Sequence, residues 1–124
     1  MEPTPKSVGT MVGERRRMPR YHLLTRVDIL VGGDPYWGSM RNLSRSGIAV
    51  TVRHHLKTHQ RVTVRFHLQS PDGREVIEDL AAKEIWQCGD DAGLEFDPPL
   101  TAGSPALQRA RYLMWHLVER EAGR

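Results

Sequence analysis

Arg61-Val62-Thr63-Val64-Arg65-Phe66-His67-Leu68 is the stretch on which the fold turns. Val62, Val64, Phe66 and Leu68 alternate with Thr63, Arg65 and His67, and a period of two marks a strand with one face in a core and the other outward. Ser70-Pro71-Asp72-Gly73 comes next as a turn, since proline presets φ at one central position and glycine accepts positive φ. The spacing then predicts a long return strand over 75–87, bent or bulged near 79–81. Cys88-Gly89-Asp90-Asp91 turns the chain into a short strand at 93–96, with Leu94 and Phe96 inward.

Upstream, Ile48, Val50 and Val52 alternate with Ala49, Thr51 and Arg53, a second clear strand. Val27, Ile29 and Val31 share one face of a strand over 26–31, which Gly32-Gly33-Asp34-Pro35 ends. Residues 36–41 return as the second arm of a hairpin, with Trp37 and Met40 as candidates for packing. Between hairpin and strand lies the polar corner Asn42-Leu43-Ser44-Arg45-Ser46-Gly47. Several short antiparallel strands joined by turns predict a closed or nearly closed barrel, which leaves no unpaired edge.

The C-terminal segment has a different period. Ser104 suits a cap and Pro105 the first helical position, while Leu107, Ala110, Met114 and Leu117 recur at helical spacing. An amphipathic helix over 104–121 would lay this stripe on an open end of the barrel. Tyr112 and Trp115 would leave some apolar surface exposed. At the other terminus, residues 1–13 are rich in Pro, Gly, Ser and Thr and read as a disordered tail. Residues 14–124 then form one domain, with a basic arm at 14–20, a barrel over 21–100 and the closing helix.

That arm, Glu14-Arg15-Arg16-Arg17-Met18-Pro19-Arg20, must face water or an anion, because unpaired guanidinium groups are expensive to bury. Pro19 favours an extended backbone, in which Arg16 and Arg20 point the same way, roughly 13 Å apart at about 3.3 Å per residue. The chain holds 15 arginines and 3 lysines, a bias toward planar, bidentate recognition of phosphates and guanine edges. Residues 1–65 carry 12 basic and 4 acidic side chains, against 6 and 11 in residues 66–124, so an anionic ligand belongs with the first half.

At 124 residues, the chain is long enough for a single core. No apolar run approaches the roughly 18 residues of a membrane span, and residues 1–13 lack the apolar stretch of a signal peptide, so a cytoplasmic protein is expected. The single Cys88 permits no internal disulfide and reads as a packed residue, not a nucleophile. His54, His55 and His59 lack a cysteine or carboxylate partner and read as loop residues, not a metal site. Glu78-Asp79 and Asp90-Asp91 read as solvated pairs, with no nucleophile beside them to suggest an enzyme. Asn42-Leu43-Ser44 also fits a glycosylation sequon, but no secretory signal gives it context.

Arg16-x-x-x-Arg20 together with Asn42-x-Ser44-x-x-Gly47, separated by a short hairpin, resembles the paired motifs of the PilZ domain family. The resemblance runs from about residue 14 to 100 and includes the Gly-Leu-Glu-Phe strand at 93–96. It implies a six-stranded antiparallel barrel that binds the bacterial second messenger cyclic di-GMP, with no other cofactor and no catalysis. Arg16 and Arg20 would engage guanine and phosphate; Asn42, Ser44 and Gly47 would form the barrel's share of the site. Arg15 resembles the position linked in this family to binding two intercalated ligands. Trp86 resembles an aromatic that stacks on guanine in some members, and a core tryptophan is the alternative reading.

The resemblance implies a receptor that signals to an unidentified downstream protein by a conformational change. Two alternatives stay open: a small basic barrel that binds single-stranded nucleic acid, and a PilZ-like adaptor without a ligand. With 8 aromatic residues and no repeated exposed platform, the nucleic-acid reading is disfavoured. Gly47→Val is expected to weaken ligand binding while leaving the fold largely intact.

Overall fold

Strand alternation places four side chains of one segment in a single core. Val62, Val64, Phe66 and Leu68 are all buried on the strand that spans Arg61–Gln69. The computed structural model of the chain describes residues 23–122. Within them run β1 (Leu23–Val31), β2 (Asp34–Leu43), β3 (Gly47–Val52), β4 (Arg61–Gln69), β5 (Glu75–Cys88) and β6 (Asp91–Phe96), then the helices α1 (Ala106–Arg109) and α2 (Arg111–Ala122). The strands close into an antiparallel barrel in the order β1-β2-β3-β6-β5-β4, with β4 paired back to β1. The expected six-stranded barrel is therefore present. The expected tail and the basic arm, with Arg15, Arg16 and Arg20, lie outside the described residues.

The ladder between β4 and β5 runs without a break from Arg61↔Lys83 to Gln69↔Glu75. The turn between them is closed by the Gly73 N–H donating to the Ser70 carbonyl at 2.9 Å, with Gly73 at φ +91°. The irregularity expected near 79–81 lies instead at Ile85, where the pairing of β5 with β6 slips by one residue. The reason is the sharing of β5 between two neighbours. Residues 79–81 are held in register by β4, and the strand bulges only after its ladder with β4 has ended.

Three further expectations about burial are corrected. Trp37 is 78% exposed and Met40 38%, because Gly38 takes the inward seat between them and packs beside Ile29, and β2 bulges just after Met40. Cys88 is exposed, since it pairs with Asp91 at the last rung of β5. Glu78 is buried, not solvated. Its carboxylate accepts the N–H groups of Tyr112 at 3.0 Å and Leu113 at 2.8 Å, satisfying donors that the first turn of α2 leaves unpaired.

The single helix expected over 104–121 is two, broken at Ala110, whose φ of −131° and ψ of 43° leave the helical region. The cap falls at Pro105 and not at the expected Ser104, which sits one residue earlier with its Oγ accepting the Ala106 N–H at 3.2 Å. The buried stripe comprises Ala106, Ala110, Leu113 and Leu117, continuous with the barrel core, while Leu107 and Met114 are only partly buried. Farther along β5, Glu84 is also buried and accepts the His59 N–H at 3.0 Å, so each inward carboxylate of this strand fixes a segment outside the sheet.

His67, assigned to the outward face, is nonetheless buried. Its Nε2 lies 2.9 Å from Asp28 Oδ2 and its Nδ1 3.2 Å from Glu75 Oε2, and Arg26 reaches Asp28 at 3.1 Å. Burial by itself would raise the Asp28 pKa, but the hydrogen bonds from Arg26 and His67 outweigh it and hold the carboxyl below its ordinary value.

Candidate ligand-binding site

The polar corner that showed no periodicity is a tight turn joining β2 to β3. The Ser44 N–H donates to the Gly47 carbonyl at 2.9 Å, and Ser44 Oγ accepts the Ser46 N–H at 3.3 Å while sharing a hydrogen bond with Ser46 Oγ at 3.0 Å. Two further bonds tie the turn to the end of β6 and the loop beyond it. Phe96 N–H donates to the Ser46 carbonyl and Leu100 N–H to the Arg45 carbonyl, both at 2.8 Å. The Arg45 guanidinium makes two bonds to Glu121 near the end of α2, at 2.8 and 3.3 Å. The turn is thus fixed from three directions, which holds its hydroxyl groups in place.

Gly47 has a structural role that overturns an expectation. A Cβ there would lie 2.2 Å from the Leu94 carbonyl oxygen and 3.2 Å from Glu95 Cα, because β3 approaches its antiparallel neighbour β6 closely at the rung Gly47↔Glu95. The obstacle is backbone and cannot rotate away. Gly47→Val would therefore disturb the barrel itself, contrary to the expectation of an intact fold.

An open cleft of about 200 Å³ lies beside this turn, lined among others by Asn42, Ser44, Gly47, Trp86, Gly93 and Glu95. Four of the seven residues singled out in the sequence, Asn42, Ser44, Gly47 and Trp86, meet here although 39 positions separate the last two. Strand order is what joins them, since β6 sits between β3 and β5. The other three, Arg15, Arg16 and Arg20, lie outside the described residues. Trp86 is not a core residue, being 45% exposed. Its pyrrole ring lies over Gly93, where a Cβ would come within 2.0 Å of Nε1 and 2.5 Å of Cδ1 and Cε2. Ala49, Gly93 and Trp86 occupy consecutive strands on one rung, so two residues with little or no side chain make a smooth floor beside the indole.

Gly93 and Glu95 escaped the sequence reading. The alternation that sends Leu94 and Phe96 inward also sends these two outward, but it does not say which neighbours they meet. A larger groove of about 810 Å³ runs along β1, β2 and β3, lined by Trp37, Met40, Arg26 and Arg53 among others. None of the four singled-out residues that are described, Asn42, Ser44, Gly47 and Trp86, lines it. The smaller cleft is the better candidate, since polar groups from both halves of the chain converge there and volume by itself does not recognise a ligand. Among the described residues, no group of three His, Cys, Asp or Glu side chains is placed to hold a metal ion, and no helix is long and apolar enough to cross a membrane.

No curated relative matches the chain. The model of the PilZ domain matches residues 14–113, a span that takes in the arginine motif, the turn at 42–47, all six strands and the start of α2. With that match and the closed antiparallel barrel, the chain belongs to the PilZ domain family, a family of cyclic di-GMP-binding type whose members act as receptor or adaptor domains.

Proposed function

We propose that this protein is a cytoplasmic, non-enzymatic receptor for cyclic di-GMP, binding it between the cleft at Asn42, Ser44 and Gly47 and the arginines Arg16 and Arg20. The observation that carries the reading is the convergence of Asn42, Ser44 and the half-exposed Trp86 on one cleft. Asn42 and Ser44 offer short, orientable hydrogen-bonding groups, and the fixed turn aims them. Trp86 offers a face on which a guanine stacks, and the arginines supply bidentate contacts to phosphate and to the O6/N7 edge of the base. Arg15 adds a charge suited to a second, intercalated ligand with its own two phosphates. Binding draws the arginine segment onto the barrel, and the altered surface is the signal passed to a downstream protein.

One observation favours a second reading. Trp37 stands exposed in a groove with Arg26 and Arg53, and an aromatic beside arginines is the pattern that holds a single strand of nucleic acid.

Isothermal titration with cyclic di-GMP, GMP and a short single-stranded DNA at the same salt tests both. Saturable binding of cyclic di-GMP alone is expected, with a ratio near two ligands per chain if Arg15 has its assigned role. Salt-sensitive binding of DNA without the dinucleotide would select the second reading, and no binding at all would select a ligand-free adaptor. Arg20→Ala should remove a charge-assisted contact worth about 1.5–3 kcal/mol, roughly ten- to a hundredfold in affinity. Unchanged affinity in that variant would refute the assignment of the arm.

A further inference from the structure

Glu95 is a carboxylate in a site otherwise suited to an anion. It points outward from β6 at the rung between Gly47 on β3 and Lys83 on β5, it is exposed, and it is the one carboxylate among the described residues that line the cleft. Gly47 has no side chain, so nothing on that strand stands between Glu95 and the turn that carries Ser44. Among the described residues Glu95 engages no hydrogen bond or ion pair, unlike Glu78, Glu84 and Glu121, each held by a protein partner.

A negative charge here opposes phosphate, so its favourable interaction must be with a group that only donates. Guanine has such a group. Its Watson–Crick edge presents N1–H and the 2-amino group side by side, two parallel donors that match the two oxygens of an ionised carboxylate. Adenine presents an acceptor at N1 next to its amino group, which a carboxylate repels. The O6/N7 edge lies on the other side of the base and is left to the arginines. Trp86 lies one strand away from Glu95 on β5, beside Gly93, so a base stacked on the indole has its edge within reach of β6.

We propose that Glu95 is the residue that reads the Watson–Crick edge of guanine and makes the site selective for guanine over hypoxanthine and adenine. The inference rests on the cyclic di-GMP reading and adds to it a specificity determinant outside both sequence motifs. A site built around a donor pair rejects an analogue that lacks one donor, because its acceptor is then left unpaired.

The test compares wild type, Glu95→Ala and Glu95→Gln in titrations with cyclic di-GMP, cyclic di-IMP, which lacks only the 2-amino group, and cyclic di-AMP. Wild type should prefer cyclic di-GMP to cyclic di-IMP by about ten- to a hundredfold. Glu95→Ala should bring the two within about threefold of each other, because cyclic di-GMP loses two donor contacts to the carboxylate and cyclic di-IMP only the one from N1–H, so affinity for cyclic di-GMP falls further. Glu95→Gln should fall between them. A Glu95→Ala protein that keeps the wild-type ratio, or weakens for both ligands by the same factor, would overturn the assignment and leave the receptor reading standing. Wild type that binds no cyclic dinucleotide would overturn the receptor reading, and this inference with it.

Discussion

Gly47→Ala is the perturbation whose outcome the structure fixes most sharply. A methyl group at this position would sit 3.2 Å from Glu95 Cα and 2.2 Å from the Leu94 carbonyl oxygen, the latter more than about 1 Å inside the ~3.5 Å at which non-bonded atoms rest comfortably. Relief requires β3 and β6 to part. Overpacking of this kind costs about 1–3 kcal/mol. The same movement strains the Phe96 N–H to Ser46 carbonyl bond, 2.8 Å long, worth about 1 kcal/mol more. Together these give ~2–4 kcal/mol, and at about 4–8 °C per kcal/mol for a domain near 100 residues the melting temperature should fall by roughly 8–32 °C. Thermal melts monitored by circular dichroism, with and without ligand, measure this directly. A variant that melts within about 2 °C of wild type would refute the argument that Gly47 exists for the close approach of two paired strands.

Gly93→Ala should behave differently, because the atom it meets is the edge of a half-exposed indole and not backbone. Trp86 can swing outward, so stability should change by less than about 1 kcal/mol, while tryptophan fluorescence becomes more accessible to quencher. If the indole stacks on a base, loss of a contact worth about 1–3 kcal/mol should weaken cyclic di-GMP binding by about five- to a hundredfold; unchanged affinity with a displaced indole would remove Trp86 from the site. Asp28→Asn tests the buried cluster around His67. A carboxyl held below its ordinary value of 3.8 stabilises the fold above that pH and loses the contribution as pH falls through the lower folded value. The urea midpoint of wild type should therefore exceed that of Asp28→Asn at pH 7, and the gap should narrow below about pH 4. A gap that stays constant down to pH 2.5 would show that the ionised carboxylate is not what the variant removes.

Much of this protein was legible from pattern. Residues at alternating positions in 48–52 and 62–68 had to face one core, and six such segments in antiparallel succession had to close on themselves or leave edges exposed. Helical spacing placed Ala110 and Leu117 against the barrel for the same reason. The motif at 42–47 was legible as a place where polar residues and a glycine interrupt that order. Glu78 was misread because adjacent carboxylates normally seek water, and only the arrival of α2 above the barrel supplies the two N–H groups that make its burial favourable. Trp37 was misread because the hairpin's inward seat belongs to Gly38, which has no periodicity signal of its own.

The chain by itself therefore determined the local choice at each segment: strand or helix, inward or outward, turn or run. Those choices arise from interactions between residues a few positions apart, so they can be read along the sequence. Tertiary structure decided which outward faces became neighbours. The strand order places β6 between β3 and β5, and this alone brings Asn42 and Ser44 to one cleft with Trp86, lays an indole over Gly93 and sets Glu95 beside the turn. No periodicity encodes that order, because it depends on contacts between segments tens of residues apart, whose pairing is settled only when the barrel closes.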